Sequence, residues 1–504
     1  MGTFIKKYFF AIFIVFVATG AWGQATNTTY YMENSPFKNY LNPAFQPIQN
    51  FYLSLPAIGY LHSTIQNNSL SVKNILQKDS AGNTITFLHP QGDLNGFYNS
   101  LQPTTMVVTD TKINLLGAGL RFKDDYFTLD ISQRLSSQVL VPKDIFKLAL
   151  FGTPDFTTNQ YKLSTLALNV DEFTDISLGY AHKASKRLYW GAKMRLLLGN
   201  NNKSLYNSQM KLNANIDQWN LKGSNTINSA GGDKLQVIGR FNEVRYTSVN
   251  SIKDFFTIAG VGAGVDVGVY YRLKKQLTVS ASLTDLGFIR WGKNTTNTKT
   301  TVDYSFAGVN KDINDGYSFD ALLDSVKQAF NNATEIQNTE KSYNSYLMPK
   351  LNLGAEYSFF ENRLSVGLLS RTMMKDFVFN EEITTSLNAR PWDWANASVS
   401  YSLINGRFST YGLGLGIQTG PIYWYGSADY LGFYNVPIPL QKINSAYPNV
   451  KFGVAENSQA FNIGMGIIIT LEELNFDHTQ SPNSYKKGKK LFDAKPCRCS
   501  DDEL

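Results

Sequence analysis

Between residues 260 and 272 the chain alternates without a break. Val261, Ala263, Val265, Val267, Val269 and Tyr271 fall on one parity, and Gly262, Gly264, Asp266, Gly268 and Arg272 on the other. Period two is the mark of a β-strand with two unlike faces. The pattern returns in residues 277–284, where Leu277, Val279, Ala281 and Leu283 oppose Thr278, Ser280, Ser282 and Thr284. It returns again in residues 350–358, where Leu351, Leu353, Ala355 and Tyr357 oppose Lys350, Asn352, Gly354, Glu356 and Ser358. A charged side chain facing lipid at mid-bilayer costs ~2–4 kcal/mol, so a strand with Lys350 and Glu356 on one parity turns that parity to a lumen and its apolar parity to lipid. Residues 394–404, 411–418 and 461–470 alternate in the same way.

Such segments predict an all-β chain, a transmembrane antiparallel β-barrel with an N-terminal plug-like segment and long extracellular loops. The strands fall at 111–122, 125–135, 160–170, 174–183, 187–199, 258–273, 275–290, 346–359, 362–371, 382–390, 394–404, 407–418, 420–430 and 460–470. That is about 14 strands, within a range of 12–16, and an even number as bacterial single-chain barrels have. With the last strand ending in the periplasm, the turns Lys274-Lys275, Glu361-Asn362 and Thr419-Gly420 fall on the periplasmic side. The stretches near 200–257, 291–345 and 431–459 fall outside, as does a two-residue hairpin at Asn405-Gly406. Two helices are expected. One spans 318–330 in an outer loop, with Phe319, Leu322, Leu323, Val326 and Phe330 at helical spacing; the other spans 142–151 on the periplasmic side, between Pro142 and Gly152.

The chain begins as a secretory leader does, with Lys6 and Lys7, an apolar run from Tyr8 to Val17, and Ala21 and Gly23 before Gln24. Ten apolar residues are too few to cross ~30 Å of hydrocarbon as a helix. The organisation expected is therefore a signal peptide at 1–23, a plug or periplasmic segment at 24–110, the barrel at 111–470 and a polar periplasmic tail at 471–504, in a Gram-negative outer membrane. Composition agrees: aromatics make up 13% of the residues, yet mean hydropathy is only −0.22, as strands apolar on one face would average. The formal charge of +7 includes Lys6 and Lys7 of the leader, and no basic block interleaved with aromatics follows, so no nucleic acid is expected as a partner. The two cysteines, Cys497 and Cys499, would close a strained ring, so no structural disulfide is expected.

Catalytic chemistry finds little support. Four histidines occur, His62, His89, His182 and His478, and only His182 falls on an expected strand, with no lipid-facing serine beside it. No metal-ligand spacing, phosphate-binding glycine loop or cofactor motif is present. What remains is the lumen, whose inward candidates are Asp175, Lys193, Arg195, Asp266, Arg272, Lys350, Glu356, Arg371, Tyr423, Tyr425 and Asp429. They serve to bind a ligand, to set ion preference or to hold the N-terminal segment. Trp190, Trp291, Tyr271, Tyr357 and Trp424 read as interface anchors, with outer-membrane lipid as their partner.

Asn42-Pro43-Ala44 resembles the Asn-Pro-Ala element of the long-chain fatty-acid transporter barrels. The run from Gly264 to Arg272, followed by Ser282 to Phe288 and Trp291, looks like an uncharacterised outer-membrane barrel family related to them, and Gly420-Pro421 to Tyr425 with Asp429 is similar to a later repeat of that family. The resemblance implies that Asn42, Pro43 and Ala44 belong to a segment folded inward. Related barrels include hydrophobic-ligand transporters and a type IX secretion protein that handles exported cargo. Two functions follow: transport of a small hydrophobic molecule, or binding of a protein partner through the outer loops or tail. In residues 160–170 the apolar parity shifts from Tyr161 and Leu163 to Leu166, Leu168 and Val170, which reads as a bulge near Thr165. The resemblance implies that such a kink opens a lateral exit.

Overall fold

The computed structural model describes residues 27–471 apart from 33–34, 57, 154–156, 232–233, 238–243, 248–256, 307–327, 329–331, 376–377, 407, 432–434, 440–450 and 456–459. The leader, the helix expected at 318–330, and the tail with Cys497 and Cys499 lie outside the described residues.

Fourteen strands close into one antiparallel barrel. The first, β1, is made of two pieces, Phe51–Ser54 and Leu61–Asn67. There follow β2 (Thr104–Phe122), β3 (Asp125–Pro142), β4 (Ala167–Lys183), β5 (Leu188–Ala214), β6 (Gly260–Arg272) and β7 (Leu277–Trp291). The second half comprises β8 (Lys350–Phe359), β9 (Leu364–Lys375), β10 (Val378–Trp392), β11 (Ala395–Ile404), β12 (Phe408–Thr419), β13 (Ile422–Leu431) and β14 (Ala460–Leu471). Each pairs with its sequence neighbours, and both pieces of β1 bridge β14 and β2, which closes the ring.

Inside and outside are reversed relative to a water-soluble sheet. Leu178, Met194, Val267, Leu353, Leu387 and Leu413 are exposed on the outer face, while Ser282, Asn352, Ser398, Arg195 and Asp266 are buried within. Two belts of exposed aromatics bound this apolar band. Trp190, Tyr271, Tyr357, Trp392, Trp394 and Trp424 stand near one end, and Phe288, Tyr346, Phe379, Tyr401 and Tyr411 near the other. Such girdles mark the two faces of a bilayer. At the first end all connections are short, residues 123–124, 184–187, 273–276, 360–363, 393–394 and 420–421. The long connections, and the tight turn in which Asn405 and Gly406 both have positive φ, lie at the other. β5 is 27 residues long, ~90 Å at ~3.4 Å per residue, where a spanning strand needs ~9–11. Its second half leaves the barrel and carries a sheet of Trp219–Gly231, Thr296–Phe306 and Thr334–Thr339.

The strand number matches the expectation, but two of its parts do not. Residues 160–170 and 174–183 are not separate strands: β4 runs unbroken from Ala167 to Lys183 against β3, and Asn159–Lys162 pairs with the far end of β5. The strand this removes is restored by β1, which lies within the segment 24–110, and β2 begins at Thr104 rather than 111. Exchanging one strand for another inverted the ends assigned to the first two expected strands. The helix Lys143–Phe151 therefore sits with the long connections, opposite the end expected for it. There it packs through Phe146 against Phe97 and Leu101 of the β1–β2 connection. Thr165 lies in the turn before β4, not in a bulge of the barrel wall. Trp291 is fully buried rather than interfacial, for a reason the lumen makes clear.

Replacing Leu413 in mid-wall by Arg is expected to cost ~2–4 kcal/mol of folding free energy in vesicles, read by denaturant titration. Lumen-facing Ser398→Ala is expected to cost far less.

Candidate functional site

The lumen is filled in two layers. Nearest the short-turn end lies the chain's own segment 27–50, held by side chains from around the wall. Asn27 donates to Thr384 (3.2 Å) and accepts from Arg371 (3.0 Å). Thr28 bonds Ser400 and Asp429. Tyr31 donates to the Leu368 carbonyl (2.7 Å), and Tyr30 meets Ser280 (3.1 Å). The carbonyl of Leu41 accepts from both Ser282 (2.7 Å) and Asn352 (3.1 Å).

The Asn42-Pro43-Ala44 turn is wedged between β5, β6 and β7. Asn42 Oδ1 accepts from Ala44 N (3.0 Å) while its Nδ2 donates to the carbonyls of Val269 (3.3 Å) and Ala281 (3.4 Å). The wall makes room with glycine: a Cβ at Gly268 would collide with Asn42 Oδ1, and one at Gly191 with the Pro43 carbonyl. Around the turn Tyr30, Phe37, Phe45, Tyr60, Tyr423 and Tyr425 form one buried aromatic cluster. Tyr423 and Tyr425, expected to face the lumen, are thus part of its packing.

Beyond the segment, a belt of charge crosses the lumen. Asp285 is its hub, accepting from Arg134 (2.7 Å), from Lys350 (2.8 Å) and from Arg195. Arg134 also reaches Asp110 (2.9 Å), as does Lys350 (2.8 Å), and Arg195 reaches Asp175 (2.5 Å) and Asp266 (3.3 Å). Lys193 lies 3.9 Å from Asp130, whose other oxygen accepts from Tyr40 of the inner segment (2.6 Å). Lys112 and Lys193 both stand over the Tyr40 ring. Five carboxylates thus face five cations, so charge removed from water is compensated locally, as burial demands. The cavity left there is ≈ 50 Å³, room for a few water molecules.

Asp285 enters the lumen because β7 carries a bulge. The register against β6 slips at Val265–Val267, and Asp285 has a φ of 58° with its amide donating to Asp266 Oδ1 (2.7 Å). Before the bulge odd residues face lipid; after it Leu286 and Phe288 do. The same inversion turns Trp291 inward, where it packs on Phe173 and Leu197 and donates to Ser345 (2.9 Å).

Of the residues singled out from sequence, Lys193, Arg195, Asp266, Lys350 and Asp175 meet in the belt. Arg272 and Glu356 do not; they line a cavity of ≈ 70 Å³ at the short-turn mouth beneath Tyr30, Tyr31 and Phe45. Arg371 also lines the belt's cavity and holds Asn27, while Asp429 holds Thr28. Asp110, Lys112, Asp130, Arg134, Asp285 and Tyr40 were missed. The break in parity between Leu283 and Leu286 was the readable signal for Asp285; Asp110 lay one residue before the strand boundary drawn. His182, on its expected strand, lies at the short-turn end and bonds Asp125 (2.6 Å).

A family model described as "Family of unknown function (DUF5723)" matches residues 43–429. No curated protein matches. Among solved structures, the chain is similar to the toluene transporter TodX of Pseudomonas putida, at 8% identity over 89% of this chain and 94% of that one, TM-score 0.34. It is similar to a FadL homologue of Pseudomonas aeruginosa at 12% identity, over 90% and 97%, TM-score 0.35. A third is the translocator domain of the autotransporter NalP from Neisseria meningitidis, at 8% identity over 90% and 100%, TM-score 0.26.

Asp285→Asn leaves Arg134, Arg195 and Lys350 without their shared counter-charge, and is expected to destabilise the barrel by ~3–5 kcal/mol in denaturant titration. Adding Lys350→Met to that variant is expected to recover part of the loss.

Proposed function

The chain belongs to that family of unknown function, and from the architecture of its lumen we propose an outer-membrane barrel, closed at rest by residues 27–50 as a plug, that passes a small hydrophobic molecule between lumen and bilayer. The leader-like start and the two aromatic belts support a Gram-negative outer membrane, with the short turns in the periplasm.

The observation that carries the reading is the interruption of β1. Six residues separate Ser54 from Leu61, where β14 has two between Ile468 and Met465 and β2 has three between Gly117 and Ile113. The excess chain bulges from the ladder and exposes Leu55 and Ile58, still tied to its neighbours by Ile58 O accepting from Ile467 N (2.8 Å) and Tyr60 O accepting from Asn114 N (2.9 Å). Behind them, on the same loop, Tyr60 turns inward against Phe37 (4.5 Å between ring centroids) and Tyr40 (5.0 Å) of the plug. Regular strand pairing is thus interrupted where the lumen is aromatic, and Tyr60 lies between this bulge and the plug. This, rather than Thr165, is the candidate lateral exit. Withdrawal of Phe37 frees Tyr60 to move, and the space opened suits an apolar ring or short alkyl chain.

Tyr60→Ala is expected to raise uptake of a radiolabelled monoaromatic hydrocarbon by cells producing the protein several-fold over the unaltered chain. Uptake no greater than in cells carrying empty vector, for both forms, would sink the transport reading.

The sheet built on the far half of β5 favours a second reading, a barrel that presents this sheet to a protein partner of a secretion or surface-assembly machine. Among the described residues Thr334–Thr339 pairs with Thr296–Phe306, and its exposed side chains suit contact with a protein surface.

A further inference from the structure

The six short turns divide into two unlike groups of three. On neighbouring hairpins, the β2–β3 turn carries Lys123, the β4–β5 turn carries Lys186 and Arg187 with Lys183 at the end of β4, and the β6–β7 turn carries Lys274 and Lys275. Asp124 and Asp125 are the acids among them, and both are engaged: Asp124 lies 3.4 Å from Lys183, and Asp125 accepts from Tyr180 and bonds His182. The other three turns, 360–363, 393–394 and 420–421, hold one cation, Arg363, which is paired with Asp393 (3.2 Å), and one further acid, Glu361. Six cations against two carboxylates therefore face one side of the rim, and the other side is close to neutral.

The three basic turns are contiguous. Lys183 N donates to Asp124 O (2.9 Å) and Arg272 N to Arg187 O (2.8 Å), so each turn is tied to the next hairpin. Just above them on the lipid side runs a row of touching rings, Phe127 to Tyr180 (5.3 Å between centroids) and Tyr180 to Trp190 (5.5 Å). Exposed Lys123, Lys186, Lys274 and Lys275 thus lie directly beyond an aromatic interface belt. That is the depth at which lipid phosphates sit, and cations there attract anionic head groups.

We propose that this sector of the rim binds anionic phospholipid, with head groups drawn to the row of Lys123, Lys186, Lys274 and Lys275 and acyl chains lying on Phe127, Tyr180 and Trp190. The opposite sector, with equally aromatic surface at Trp392 and Trp394 but no excess charge, has no such preference. The site rests on the lipid-facing wall and not on transport, so its test is independent of the uptake experiment.

The full-length chain, purified in a non-ionic detergent, is mixed with phosphatidylglycerol, phosphatidylcholine or inorganic phosphate, and bound molecules are counted by native mass spectrometry. Folding of each variant is checked by heat-dependent mobility on gels. The expected result is retention of phosphatidylglycerol in preference to phosphatidylcholine, lost at least ~10-fold in the variant K123Q/K186Q/K274Q/K275Q and kept in E361Q. Equal retention of the two lipids, or an unchanged preference in the quadruple variant, overturns the proposal. Displacement of the lipid by inorganic phosphate at equal concentration also overturns it, because the site would then serve the free ion.

Discussion

A closed sheet in hydrocarbon leaves no backbone group unpaired at its edges, but closure has a second consequence that governs this molecule. Every strand turns half its side chains into the ring, and those side chains cannot be apolar without making strand and lumen alike to the surrounding lipid. The polar half must then find partners within a confined volume. This chain solves the problem with its own N-terminal segment and with charges of opposite sign from seven different strands. Tyr40 joins the two solutions, since its hydroxyl bonds Asp130 while its ring lies beneath Lys112 and Lys193.

One bulge accounts for much of the arrangement. Without the extra residue at Asp285, β7 would keep its parity and turn Asp285 toward lipid and Trp291 outward. With it, a carboxylate sits where two guanidiniums and an ammonium converge, and the far half of the strand buries Ile289 and Trp291 in a core with Phe173 and Leu197. Polar centre and apolar upper core are thus two products of one backbone irregularity, which is how bulges serve barrels elsewhere.

How much of this could be read from the sequence follows from how strongly each strand alternates. Residues 260–272, 350–358 and 394–404 have charged, small polar or glycine residues on one parity and apolar groups on the other, and their faces are as expected. β1 was invisible because Pro56 and Gly59 cut it into pieces of four and seven residues, neither long enough to register as a spanning segment. Residues 160–170 looked like a strand because Asn159–Lys162 is one, outside the barrel, and a turn at Ser164-Thr165 imitates a parity slip. The lumen residues Lys193, Arg195, Asp266 and Lys350 were legible from parity alone. Their mutual pairing was not, because it joins strands far apart in sequence through a bulge that parity rules treat as noise.

The position of β1 also fixes an order of events. The inner segment ends at residue 50, and β1 begins at Phe51 beside Leu471, the last residue of β14. The seam that closes the ring therefore joins the first strand of the chain to its last, over the greatest sequence separation in the sheet, and is the costliest contact to form early. Residues 27–50 are tethered to that seam at the short-turn mouth. The ring therefore encloses them only when its first and last strands meet, so closure of the wall and filling of the lumen are one event.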